Sequence, residues 1–337
     1  MAGGGRRVFC PSMGEGYKKM KILVTGGYGF MGSDFIRCLL EGSDWEIVNI
    51  DLLTYAGNKN NLLQSPRLQS YIRDICDKDF LERLFATHSF DAVVHFAAET
   101  HVDRSIENPL PFIHSNILGT IHLLQIQQKY PKTHFHYIST DEVYGDLSDS
   151  EPSFTLDAPF HPSSPYAASK ASADLFCQAY RRTYGASVTI SRSGNNFGPY
   201  QNQEKLIPSM TIKALAGEDL TLYGDGKNKR DWLFVRDHSI AIMKILKRRA
   251  FGEIYHIGSG YERTNIEVCE AICEEIFRQT GKRSESKITF IQDRKGHDRR
   301  YSLEVKKTQE ILDFSPKVAF NEGIKYVVSS LLHKSQL

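Results

Sequence analysis

A chain of 337 residues with 41% hydrophobic and 24% charged residues has the balance of a folded globular protein, which excludes a disordered or fibrous one. Its length suits one large domain with a smaller second unit. A formal net charge of +2 gives no general attraction to nucleic acid or to a membrane surface, and no run approaches the roughly 20 apolar residues of a membrane span.

Residues 1–20 are rich in glycine and basic residues and lack the apolar core of a signal peptide, so they are read as a disordered extension of a cytoplasmic protein. From Lys21 onward short apolar runs alternate with helical segments, which predicts βα units around a parallel sheet. Strands are expected at 21–26, 46–51, 69–73, 91–98, 134–139 and 187–192, several of them apolar on both faces as a sheet covered on both sides requires. Past about residue 195 shorter helices at 205–216, 265–279 and 321–333 mark a second lobe, and a strand at 253–258 is placed to return to the main sheet. The chain therefore reads as a Rossmann-like, doubly wound domain over 21–194 and a smaller α/β lobe, mainly substrate-binding, over 195–337, with about 231–258 rejoining the first. The six cysteines form no C-x-x-C pair and are expected to be reduced. Cys269 and Cys273 lie four apart on a predicted helix but find no further ligands nearby, so no metal is expected.

The first strand runs into VTGGYGFMGSDF, with Gly26, Gly29 and Gly32 at three-residue spacing and Gly27 adding a G-x-G-x-x-G register. Glycine there lets a pyrophosphate approach the backbone N–H groups at a helix N-terminus, where the helix dipole also favours an anion. Asp51 ends the next strand about 20 residues on. Its carboxylate can accept from a ribose diol and would repel a 2′-phosphate, which favours NAD over NADP. Taken alone, Asp51 has a turn former at a strand end as its lesser alternative.

Tyr166 and Lys170 lie four apart in SSPYAASKASAD and share one face of a predicted helix. An ammonium and a bound nicotinamide cation would both favour the phenolate, allowing Tyr166 to take a proton from a sugar hydroxyl. Taken alone, such a pair reads as a surface feature of a helix. Joined to the glycine turn it reads as catalytic.

Together these segments resemble the extended short-chain dehydrogenase/reductase family, and more closely its nucleotide-glucose 4,6-dehydratases. The resemblance runs from about Lys21 to near the C-terminus, through DLLTYAGN, DICD, HFAAETHVDRSI, ISTDEVYGDL, GNNFGPYQNQEKLIP, RDWLFVRDH and DRKGHDRRY. It implies cofactor contacts at Phe30, Met31, Asp51, Leu52, Leu53, Thr54, Asp74, Ile75, Phe96, Ala97, Ala98, Glu99, Thr100, Ser115 and Asn196. It implies substrate contacts at Thr100, Thr140, Asn195, Lys205, Leu206, Tyr223, Arg230, Asn265, Arg294 and His297, of which the guanidinium groups suit a diphosphate. It also implies a homodimer packed through helices, and the Tyr166 helix carries small residues at Ala167, Ala168, Ala171 and Ala173.

Some positions depart from the family pattern. Tyr28 stands where a small residue is usual, Ser115 replaces threonine, and a C-terminal aromatic found near the nucleotide in some relatives has no counterpart. GHDRRY is closer to the dTDP-sugar enzymes than to the UDP-glucose ones, so a dTDP-linked glucose is the first expected substrate and a UDP-linked one the second.

Asp141 and Glu142 follow Thr140 at the end of a predicted strand, where doubly wound sheets open onto their ligand crevice. A dehydratase needs an acid and a base there, and the residues alone leave open which carboxyl plays which part; the family resemblance implies Glu142 removing the C5 proton and Asp141 protonating the departing C6 hydroxyl, with Thr140 beside the C4 hydroxyl. A 4-epimerase or decarboxylase on the same scaffold begins with the same C4 oxidation and competes with this reading. So does a silent NAD-binding regulator, against which the intact Tyr166 and Lys170 weigh.

Overall fold

Apolar runs too short for helices pair edge to edge into a sheet whose strand ends all open on one side. The protein is described by a computed structural model, at residue 10 and over residues 19–248, 250 and 252–334. In chain order the strands are β1 (Lys21–Thr25), β2 (Glu46–Asp51), β3 (Leu68–Ile72), β4 (Ala92–His95), β5 (His134–Thr140), β6 (Val188–Ser193), β7 (Asn195–Phe197), β8 (Leu220–Tyr223), β9 (Lys229–Phe234), β10 (Ile254–Ile257), β11 (Glu262–Thr264) and β12 (Ile288–Ile291). The helices are α1 (Phe30–Gly42), α2 (Lys78–Thr87), α3 (Val102–Glu107), α4 (Leu110–Phe112), α5 (Gly119–Lys129), α6 (Pro165–Tyr184), α7 (Leu206–Ala216), α8 (Val235–Arg248), α9 (Asn265–Thr280), α10 (Lys306–Leu312) and α11 (Phe320–Lys334). Among the described residues no helix is long and apolar enough to cross a membrane.

Seven parallel strands form the main sheet in the order β10-β6-β5-β4-β1-β2-β3. Alternation along β1 sends Ile22 and Val24 into one apolar layer, with Phe35 of α1 and Ile242 of α8, and Leu23 into the opposite layer, with Leu123 and Leu124 of α5. Both layers are buried, which explains strands that are apolar on both faces. A third core joins Met210 of α7, Leu222 of β8, Trp232 of β9, Ile272 of α9 and Val328 of α11.

The strand expected over 91–98 stops at His95. Phe96 still donates to the Thr25 carbonyl at 3.1 Å, but the chain then peels away from the sheet. The sulfur atoms of Cys10 and Cys38 are brought together with Cα atoms 5.3 Å apart, while Cys76, Cys177, Cys269 and Cys273 stand free. Burial brings the pair together: Cys10 packs beneath α1 beside Met243 of α8. The remainder of the expected extension, 1–9 and 11–18, lies outside the described residues. Of the small residues on α6, Ala167, Ala171 and Ala173 are buried within the subunit, while Ala168 is half-buried.

Candidate active site

Gly26, directly after β1, has φ +75°, and a Cβ there would lie 2.6 Å from the Ala97 nitrogen. Such backbone-on-backbone packing admits only glycine. Gly29 caps α1 without a side-chain hydrogen bond, so the first N–H groups of the helix have no partner from the cap. At the end of β2, Asp51 accepts from Tyr28 N at 2.8 Å and Leu53 N at 2.7 Å. Burial pushes its carboxyl up and these backbone bonds oppose the shift.

A cavity of about 400 Å³ runs from this turn across the strand ends. Gly26, Gly29, Phe30, Met31, Gly32, Asp51, Leu52, Thr54, Asp74, Ile75 and Ser115 line it at the dinucleotide end, together with the 96–100 segment that peels off β4. Thr140, Asp141, Glu142, Tyr166, Lys170, Asn195, Asn196 and Lys205 line the rest. Leu53 is different. It has a φ of +57°, gives its N–H to Asp51 and is not among the residues that line the cavity.

Ser164 caps α6 by accepting from Ala167 N at 3.1 Å, which sets the phase that turns Tyr166 and Lys170 inward. Lys170 Nζ donates to the Ile138 carbonyl at 2.6 Å and lies 4.3 Å above the Tyr137 ring. Burial pushes its ammonium down to about 8. Tyr166 is pushed well above an ordinary phenol by burial and then by Glu142 and Asp141, with a hydrogen bond from Thr140 in opposition. The sequence alone had suggested an ammonium-dominated phenol. In the folded site the Lys170 ammonium is engaged with the Ile138 carbonyl.

Thr140 caps a single 3-10 turn, Asp141–Tyr144, its hydroxyl accepting from Glu142 N at 3.3 Å and lying 3.1 Å from Asp141 Oδ1. That turn overrides strand alternation and brings both carboxyl groups to the cavity. Asp141 is 2% exposed with Oδ2 unpartnered, and burial followed by the Glu142 charge pushes it up to about 8. Glu142 is also pushed up by burial, against the pull of Arg294, Arg230 and Lys205.

The other residues implied in substrate binding sit apart from the cavity wall. Arg230 is only 6% exposed and donates to the carbonyls of Lys229, Asp298 and Arg299, so it is no solvated surface group. Arg294 pairs with Asp103 at 3.6 Å. His297 Nδ1 lies 2.6 Å from Asp293, and its ring is 6.1 Å from that of Tyr223. Leu206 opens α7, and Asn265 opens α9 with its N–H on the Asn228 carbonyl. The two groups of residues meet electrostatically at Glu142.

Gln201, Asn202 and Glu204 also line the cavity and were not singled out by sequence reasoning, although they lie inside a segment that carried the resemblance. Glu204 receives Arg104 at 3.3 Å and lies 3.6 Å from His101. The Arg104 guanidinium sits 3.7 Å from the Tyr55 ring centroid, so three segments meet at the cavity edge.

A parallel sheet with a glycine turn at one end of its crevice and a Tyr-Lys helix at the other defines an extended short-chain dehydrogenase/reductase. The sequence profile of GDP-mannose 4,6-dehydratase matches residues 23–327. The chain is 45% identical over 334 residues to dTDP-glucose 4,6-dehydratase of Haemophilus influenzae, covering 94% of this chain and 99% of that one. A solved structure of dTDP-glucose 4,6-dehydratase from Bacillus anthracis in complex with NAD superposes with a TM-score of 0.86 at 40% identity, over 94% of this chain and 98% of the other. UDP-glucose 4-epimerase of Thermotoga maritima, solved with UDP-glucose, gives a TM-score of 0.85 at 30% identity, over 94% and 100%. The chain belongs to the GDP-mannose 4,6-dehydratase family.

Proposed function

We propose that this protein is an NAD-dependent hydro-lyase that converts dTDP-glucose to its 4-keto-6-deoxy product, with UDP-glucose as the second candidate substrate. One observation carries the reading beyond the shared fold: two adjacent carboxyl groups, the buried Asp141 and the half-buried Glu142, face the cavity that Tyr166 also lines, and Asp141 Oδ2 has no partner. A 4-epimerase has no use for an acid and a base at C5 and C6.

The residues fit the cofactor, because the glycine turn allows close backbone approach and the Asp51 carboxylate lines the cavity. When bound, NAD accepts hydride from C4 and returns it to C6, and its positive ring favours the phenolate. Tyr166 takes the C4 hydroxyl proton, Thr140 orients that hydroxyl, and Lys170 holds the helix end of the site positive. With C4 a ketone, Glu142 removes the acidified C5 proton while Asp141 protonates the C6 hydroxyl, which leaves as water, and as hydride reaches C6 Glu142 gives its proton back to C5. Arg230, Arg294 and His297 are assigned to the diphosphate side. Residues 21–194 are assigned to the cofactor and most of 195–337 to the substrate.

A homodimer is also proposed. Leu175 and Phe176 on α6 are 53% and 39% exposed, and Leu110 and Ile113 of the adjoining segment are exposed beside them. These exposed apolar side chains, with the half-buried Ala168 on the same helix, suit a contact between subunits.

Mass spectrometry after incubation with each nucleotide sugar tests the reading. Loss of water from dTDP-glucose is expected, whereas inversion at C4 without water loss would replace the dehydratase by an epimerase. Asp141→Asn and Glu142→Gln should both still reduce NAD, the first failing in water loss and the second in C5 exchange with deuterated solvent. Since Asp141 serves only while protonated, dehydration should decline as pH rises through about 8.

A further inference from the structure

Behind the turn that carries Asp141 and Glu142 lies a buried polar network the proposed chemistry does not use. Tyr144, 1% exposed, ends that turn. Arg192 of β6 donates from Nη1 to the Tyr144 hydroxyl at 2.5 Å, while Nε and Nη2 grip the two oxygens of Asp174 at 2.9 and 3.0 Å. Asp174 is fully buried on α6, one helical turn beyond Lys170, and its charge opposes the burial that pushes Lys170 down. The Tyr144 hydroxyl also lies 2.6 Å from His256 Nε2 on β10, and His256 Nδ1 lies 3.1 Å from the Glu304 carbonyl.

The directions of these bonds follow from their ends. A carbonyl only accepts, so His256 carries its proton on Nδ1 and accepts at Nε2. Tyr144 therefore donates its one proton to His256, and the guanidinium takes an acceptor site on the phenol oxygen. The Tyr144 ring is meanwhile stacked on Phe154 at 4.9 Å and set edge-on to Phe160 at 5.5 Å. Apolar packing alone would be satisfied by phenylalanine at this position. A buried ion pair contributes little net stability, but a fully satisfied network fixes geometry.

The redox pair and the elimination pair stand on separate elements, α6 and the 3-10 turn, and the network ties one to the other. We propose that Tyr144, held by Arg192 and Asp174, is a positioning residue that keeps Asp141 and Glu142 in register with Tyr166 and Lys170. The inference rests on the elimination roles proposed above for the two carboxyl groups.

Tyr144→Phe removes only the hydroxyl and keeps the ring stack, and Arg192→Lys keeps a charge for Asp174 without reaching both partners. In single turnovers of the NAD-loaded protein with dTDP-glucose, C4 oxidation in both variants should stay within about twofold of the parent, while C5 exchange and water loss slow about tenfold, the scale expected of a small misplacement. NADH absorbance should then accumulate. A uniform slowing of every step in proportion to a lower melting temperature would overturn the positioning role. Should the parent itself release no water, the dehydratase reading falls and this inference with it; should the parent dehydrate and both variants match it, the inference alone falls.

Discussion

The glycine turn and the basic cluster are both read as holders of anionic groups, yet they are built differently. At the turn the fit is made of backbone: Gly26 lies against Ala97, and two N–H groups pin Asp51. Across the cavity it is made of long side chains, and although three carbonyls anchor Arg230, Arg294 keeps a buried Nε without a partner and has Asp103 at 3.6 Å. Backbone geometry is set before a ligand arrives, whereas guanidinium groups retain donors to give to one. On the proposed assignment of the basic cluster to the substrate, preference would change in the second lobe while the cofactor groove stays as it is.

Gly26→Ala should break the comparison most severely. Positive φ and overlap with Ala97 together cost about 2–4 kcal/mol, so NAD affinity should fall at least ~30-fold. A fluorescence titration giving the parent affinity would show that the turn yields more easily than its packing implies. Arg294→Met should act on the other side alone. Loss of a charged hydrogen bond, about 1.5–3 kcal/mol, should raise KM for dTDP-glucose roughly 10- to 100-fold and leave bound NAD unchanged. A parallel loss of NAD would mean that the two regions are not independent. The smallest effect is expected at Leu53, whose backbone lies in the left-handed region. Leu53→Asn should relieve up to about 1 kcal/mol of strain and keep NAD affinity within about twofold. A larger drop in titration would restore the side chain as a cofactor contact.

These two regions also differ in how much of them could be read from the sequence. The cofactor side is encoded locally, since a strand, three glycines and an acidic strand end lie within about 30 residues and each has its own physical reason. Leu53 belongs to the same contiguous motif, but its left-handed backbone could not be read from it. On the substrate side Tyr223, Arg230, Asn265, Arg294 and His297 come from separate segments, and only the family resemblance joined them. Gln201 and Asn202 carry no charge signal, and the pairing of Glu204 with Arg104 depends on a contact across a hundred residues. The juxtaposition of Cys10 and Cys38 likewise had no spacing rule to announce it.

β10 has a consequence for how the molecule comes to exist. It pairs with β6 in parallel, yet it arrives only after β7, β8, β9 and α8 have been made. On the ribosome, the outer edge of β6 must therefore wait with its hydrogen-bonding groups uncovered while much of the second lobe is synthesised, and such an edge is a template for pairing with other chains. Closure of the sheet is thus coupled to emergence of the second lobe, so a nascent chain stopped before Ile254 should call on chaperones where the finished one does not.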